Sequence, residues 1–268
     1  RWRIPLAKIL LKFCIPASAG RLWRLCFICC VLFSACATTP TVEDLKKAEA
    51  YYKLGVSYLN ENKLRESFIE FQKAIQLNPE DKYSLNALGL ISTRFKEYDK
   101  AINYYKRAIS IDPHYSEAMN NLGVTYLEIE NWDEAVKYFK MALDNPLYAT
   151  PDTAHSNIGY ALYKKGDYLN ALNTLNDTLK KYPESPQSAY ILGLVYMKLD
   201  NIKSAINSFN KAVTLSPKYI DARWELANAY LREGNKGKAI EHFRIVAESN
   251  GDTERTREAS KYIELLKE

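Results

Sequence analysis

Beyond residue 36 the chain has no cysteine, and all five (Cys14, Cys26, Cys29, Cys30 and Cys36) lie before that point. A disulfide framework and a cysteine-based metal centre are therefore excluded from 37–268. Histidine is nearly as scarce, with only His114, His155 and His242, set far apart. No glycine-rich phosphate loop occurs. An excess of positive charge is also missing from the bulk of the chain, although the formal total is +5. Residues 1–36 hold Arg1, Arg3, Lys8, Lys12, Arg21 and Arg24 with no acid, and the remaining 31 basic residues face 32 acidic ones. That near-neutral balance removes the electrostatic footprint of nucleic-acid binding. These absences point to no metal, no cofactor, no nucleic acid and no small-molecule substrate.

A long apolar run is lacking too. The longest, Leu25-Cys-Phe-Ile-Cys-Cys-Val-Leu-Phe33, falls well short of the ~20 residues that span a bilayer. Arg21 and Arg24 precede it, Ser34 and Ala35 follow, and Cys36 comes next, in the order of a secretory signal and its cleavage site. Phe33-Ser34-Ala35-Cys36 resembles the lipobox of bacterial lipoproteins, with phenylalanine where leucine is usual. Residues 1–36 are thus expected to be a lipoprotein signal segment, with Cys36 lipidated and left as the single cysteine of the mature chain. Acyl chains partition at about 0.8 kcal/mol per methylene, so two or more make a durable anchor. Residues 37–47 then serve as a tether and the start of the first helix. Ala37 stands where an aspartate would favour the inner membrane, so the resemblance implies the periplasmic face of the outer membrane in a Gram-negative bacterium. There is no initiating Met and the signal is complete from Arg21, so translation is expected to begin near residue 21.

What is abundant is repetition. Gly55, Gly89, Gly123, Gly159 and Gly193 are spaced by 34, 34, 36 and 34 residues, and Ala227 extends the series by another 34. An aliphatic residue precedes each, and sixteen residues after each comes Phe71, Tyr105, Phe139, Leu175, Phe209 or Phe243. Pro79, Pro113, Pro183 and Pro217 close units. Apolar spacings of three and four within each unit predict two amphipathic helices. Polar turn residues such as Asn131, Asp167, Asn201 and Asn235 are placed to cap the second. The pattern resembles the tetratricopeptide repeat (TPR), in units 48–81, 82–115, 116–149, 152–185, 186–219 and 220–253. The expected fold is all-α, a right-handed TPR superhelix (an α-solenoid) of six helix-turn-helix repeats. Residues 254–268 are expected to add a capping helix with Ala259, Tyr262, Ile263 and Leu266 on one face, since the last repeat otherwise exposes an apolar surface. The small residue at Gly123 lets two helices approach closely, so a bulky side chain there is expected to cost ~1–3 kcal/mol.

In a TPR superhelix the second, fifth, ninth and twelfth positions of each first helix face inward. The resulting candidates for partner binding are Tyr52, Val56, Leu59, Asn86, Leu90, Asn120, Tyr160, Tyr190 and Trp224. Exposed apolar groups there favour recognition, and the asparagine amides are suited to a peptide backbone. The Lys/Asn/Arg clamp of chaperone-binding repeats is missing from the corresponding positions.

A two-residue insertion interrupts the period within Asp144-Asn-Pro-Leu-Tyr-Ala-Thr-Pro151. Asn145-Pro-Leu-Tyr148, followed by Ala154 and Asn157-Ile-Gly159, resembles the same junction in type IV pilus biogenesis lipoproteins, the PilF/PilW/Tgl pilotin family. That family also carries a lipidated N-terminus followed by six repeats. The resemblance implies a protein-binding scaffold, not an enzyme, whose partners are the secretin subunits of the type IV pilus and whose membrane contact is its N-terminal lipid. It would assist secretin localisation and multimerisation. A TPR adaptor for β-barrel protein assembly, or for periplasmic proteases or cell-wall enzymes, and a purely structural spacer are the competing expectations.

Overall fold

The computed structural model describes residues 39–249 and 253–267; the expected lipobox with Cys36 lies outside the described residues. Thirteen helices and no strand occur among the described residues. The first repeat is α1 (Val42–Asn60) and α2 (Leu64–Leu77), and the second is α3 (Lys82–Arg94) and α4 (Tyr98–Ile111). They are followed by α5 (Ser116–Glu128) and α6 (Trp132–Leu143), then α7 (Pro151–Lys165) and α8 (Tyr168–Lys181). The last two pairs are α9 (Pro186–Lys198) with α10 (Ile202–Leu215), and α11 (Ile220–Glu233) with α12 (Lys236–Ala247). A final helix, α13 (Glu254–Lys267), closes the series. Residues Asp44–Glu268 cluster as one unit.

The sixteen-residue pairing has a direct physical cause. A methyl group added at Gly55, Gly89, Gly123, Gly159 or Gly193 would come within 2.4–2.8 Å of Phe71, Tyr105, Phe139, Leu175 or Phe209, respectively. Each of those side chains is fully buried, so it fills the space that the missing Cβ leaves and binds the second helix to the first. Core interiors are packed too densely to give way, and overpacking there is destabilising. Ala101, Ala135, Ala171, Ala205 and Ala239 are likewise fully buried on the second helices. The first repeat has Ser67 in that place, and its hydroxyl donates to the Gly55 carbonyl at 2.8 Å, so the extra polar atom is satisfied inside the core.

Turns between paired helices follow one plan. The residue before each second-helix cap is left-handed: Asn62, Lys96, Glu130, Gly166, Asp200 and Gly234 all have φ between 58° and 86°. Next, the side chains of Asn131, Asp167, Asn201 and Asn235 accept from backbone N–H groups three residues on, capping α6, α8, α10 and α12. Their side chains thus satisfy amides that a helix start leaves without intrahelical partners.

Successive first helices lie against one another (α3 with α5, α5 with α7, α7 with α9, α9 with α11), while second helices make no comparable mutual contact. First helices therefore form the inner layer and second helices the outer one. Each second helix also packs on the next first helix, as α4 does on α5 and α10 on α11. The cap α13 lies on α12. There Ala259 is fully buried and Ile263 and Leu266 pack on the core, while Tyr262 stacks on Phe243 with ring centres 5.0 Å apart.

At the insertion, Tyr148 is buried against Met119, Ala142 and Ala154. The Asn145 side chain donates to the His114 carbonyl at 3.2 Å and accepts from the Leu147 amide at 3.0 Å. Pro151 then starts α7, where its missing N–H costs nothing. The added residues form an ordered corner that presents Leu147, 88% exposed, to solvent.

Candidate binding face of the inner layer

All nine inner-face residues singled out from the sequence, Tyr52, Val56, Leu59, Asn86, Leu90, Asn120, Tyr160, Tyr190 and Trp224, are half-buried. They divide into two kinds. Tyr52, Val56 and Leu59 lean on the core formed by Phe71, Leu88 and Ile91. Tyr190 and Trp224 lean on the core of the last repeats, with ring centres 6.0 Å from Phe209 and 5.2 Å from Phe243. The large side chains at inner positions thus also take part in core packing. A ring on the first helix is long enough to reach the ring that fills the glycine notch behind it. These residues therefore offer an edge, not a whole side chain, to the inner surface.

The asparagines also differ from expectation. Asn121 donates to the Asn86 side-chain oxygen at 3.1 Å, and Asn157 donates to that of Asn120 at 3.4 Å. Gln187 in turn donates to Asn157 at 3.2 Å. Instead of waiting for a peptide backbone, the amide oxygens of Asn86 and Asn120 already join neighbouring repeats. Sequence spacing held a signal for this: Asn121 and Asn157 occupy the sixth position of their units, which faces the preceding repeat. Thr93 and Thr125 meet at 2.9 Å between repeats two and three. Ser156 is buried in a hydroxyl contact with Ser188 between repeats four and five.

A shallow depression on this face is bordered by Val124, Leu127, Trp132, Asn157, Tyr160 and Gln187, with Lys164 and Glu128 at its rim. Lys164 lies 5.9 Å from the centre of the Trp132 ring. Further along, Tyr190 and Tyr219 approach to 5.0 Å, and Tyr160 and Tyr163 stack at 6.2 Å. Burial pushes the hydroxyls of Tyr163 and Tyr190 upward, and the Glu225 carboxylate nearby adds to the effect. Burial also raises Glu225 above the usual carboxylate range, opposed by a hydrogen bond to Asn228. Among the described residues no three His, Cys, Asp or Glu side chains gather as metal ligands, and no helix is long and apolar enough to cross a membrane. The histidines stand apart: His155 is near Tyr182, and His242 stacks on Tyr230 with ring centres 5.6 Å apart.

The fold and its inner layer define the class as a tetratricopeptide-repeat solenoid. Family models described as tetratricopeptide repeat match 48–81 and 83–146, and one described as TPR repeat matches 193–234. A model of subunit 3 of the anaphase-promoting complex matches 147–212. Among solved structures, PilW, a widely conserved type IV pilus biogenesis factor, is 22% identical with a TM-score of 0.71. That match covers 80% of this chain and 98% of the other. PilF of Pseudomonas aeruginosa is 16% identical with a TM-score of 0.67, covering 82% and 99%. This chain therefore shares its fold with these two proteins. Curated relatives match over shorter stretches. A probable UDP-N-acetylglucosamine–peptide N-acetylglucosaminyltransferase of Arabidopsis thaliana is 25% identical over 101 residues, or 38% of this chain. Anaphase-promoting complex subunit 3 of Schizosaccharomyces pombe is 31% identical over 62 residues, or 23% of this chain. The match spans about a tenth of the length of each, 10% and 9%.

Proposed function

We propose that this chain is a lipid-anchored scaffold on the periplasmic face of the outer membrane that serves type IV pilus biogenesis by holding secretin subunits on its inner face. The observation that carries this reading is the match to PilW and PilF over nearly their whole lengths, 98% and 99%. Support comes from the lipobox at Phe33–Cys36 and the Pro-Leu-Tyr corner at 146–148. The protein would work by binding without chemistry. A lipid on Cys36 confines the solenoid to the membrane surface, and confinement raises the effective concentration of a captured subunit beside its neighbours. Capture and crowding together would assist localisation and ring assembly.

The test is to delete the gene and measure secretin multimers in outer-membrane fractions, with the wild-type chain and Cys36→Ser as complements. Multimers should fall on deletion, return with the wild type and return poorly with the variant. A normal level of outer-membrane multimers in the deletion strain rejects the proposal.

A further inference from the structure

The third, seventh and tenth residues of each repeat share one side of its first helix. In repeats two to six that side lies under the second helix of the repeat before, and all three residues are at most 6% exposed. The covering helix brings a buried small residue followed by an aliphatic one: Ala74-Ile75, Ala108-Ile109, Ala142-Leu143, Thr178-Leu179 and Ala212-Val213. Ile75 thus packs with Leu88 and Ile91, Ala108 with Ala118 and Leu122, and Ala212 with Leu226 and Ala229. In repeat one the same three places are Ala50, Leu54 and Ser57 of α1, and all are exposed, Leu54 to 41%. At the other end of the array the small-residue place of α12 is filled by Val246, which is fully buried in one cluster with Ala259 of the cap. This side of α1 is distinct from its inner face, where Tyr52, Val56 and Leu59 lean on the core behind repeats one and two.

Leu54 therefore leaves in water the apolar surface that its five counterparts bury. Ala50 and Ser57, on either side of it, are small enough for a second helix to approach closely. What fits such a seam is shown five times in this fold, at every junction between repeats. A second copy of the chain has no helix of that kind to offer. Its small-residue positions, Ala74, Ala108, Ala142, Thr178, Ala212 and Val246, are already covered and at most 3% exposed. We infer that α1 docks an amphipathic helix of a partner protein along Ala50, Leu54 and Ser57. That helix carries a small residue followed by isoleucine, leucine or valine, and takes the place that a preceding repeat's second helix would hold. The interface between repeats is thereby continued by one helix into another protein, in the manner of a helix laid in an apolar groove. The site is separate from the inner face proposed above to hold secretin subunits.

The experiment uses the purified chain and a fluorescent peptide with the sequence of α4, Tyr98–Ile111, read by anisotropy. A covalent staple on its solvent side holds it helical, since an isolated helix of this length is marginal in water. The peptide should bind, and the same peptide with Ala108→Lys should bind about tenfold or more weakly. In the chain, Leu54→Glu should weaken the unaltered peptide by a similar factor. Ser57→Arg, at a second exposed position, should do the same and keeps the test valid where Leu54→Glu does not fold. Leu147→Glu, at the insertion corner, should leave binding unchanged. Hydrogen exchange in α1 should slow when the peptide is added. No binding at millimolar peptide, or binding that both α1 variants leave unchanged, overturns the inference. So does a dimer in sedimentation that Leu54→Glu dissolves, because a second copy would then hold the seam.

Discussion

The inner layer of repeats two to five and that of repeats five and six with the cap are joined by different chemistry. In the first region, helices meet mainly through neutral amides and hydroxyls: Asn86 with Asn121, Thr93 with Thr125, Asn120 with Asn157, and Ser156 with Ser188, beside one ring pair, Tyr83 with Tyr115. In the second they meet through rings: Tyr190 with Tyr219, and Trp224 with Tyr262. Behind both, a small residue (glycine, or Ala227 in repeat six) faces a buried side chain sixteen residues on. The repeat period thus dictates the core, while the inner face is left to vary. Amide contacts need one geometry and bury little area. Ring contacts tolerate a range of angles, 48° between the planes of Tyr190 and Tyr219 and 69° between those of Trp224 and Tyr262.

The largest break expected is Trp224→Ala. Trp224 touches Phe243, Tyr262 and Arg255, so its loss unties α11 from both α12 and the cap. Stability should fall by about 3 kcal/mol, the lower end for a large aromatic truncation because the ring is only half-buried. Solenoids respond locally, since each repeat contacts only its neighbours. Hydrogen exchange should therefore rise across 220–267 and stay unchanged in repeats one to three. Uniform acceleration would mean that the aromatic region is not a separate layer.

Gly123→Leu and Gly193→Leu test whether the two regions differ behind the inner face. An added Cβ would lie 2.6 Å from Phe139 in one case and 2.4 Å from Phe209 in the other. Both should cost ~1–3 kcal/mol, by similar amounts, in urea unfolding. A cost at only one site would show that the shared core is not in fact equivalent. Asn157→Ala is the amide counterpart. It removes the bond to Asn120 and the one from Gln187, and should cost about 1–2 kcal/mol, felt in repeats three to five.

The period and the small-to-large pairing were legible because each unit repeats the same steric demand; the ring at Phe139 makes sense only opposite Gly123. Caps were legible at Asn131, Asp167, Asn201 and Asn235 for a similarly local reason. The left-handed residue before each cap was not, because four of the six are Asn62, Lys96, Glu130 and Asp200 and not glycine. That conformation is unfavourable for a side chain with a Cβ, so nothing in Lys96 or Glu130 announces it. On the inner face, spacing located the residues but not their partners. Whether Asn120 faces solvent or Asn157 depends on how one repeat is rotated on the next, which a single unit does not encode. Glu225 was passed over for the same reason, since it sits one position from Trp224 and its half-burial is not written in the spacing of its own unit.

Glu225→Gln gives the smallest and most diagnostic effect, opposite in sign to the others. Burial holds the folded-state pKa of Glu225 above its unfolded value. The folded chain therefore takes up a proton more readily, and its stability falls as pH rises from the unfolded carboxylate value through the folded one. At neutral pH the full penalty of the buried charge is present, and removing it should raise the unfolding midpoint of the variant above that of the wild type. As pH falls the gain should shrink, reaching nothing below the unfolded carboxylate value, where both side chains are neutral. Burial lowers His155 and His242, so they cost stability as pH falls below the ordinary histidine value of 6.5. They do so in both proteins and cancel in the difference between the two melting curves. A gain that is constant with pH would mean that the amide merely packs better. A loss at neutral pH would mean that the carboxylate is already satisfied within the chain.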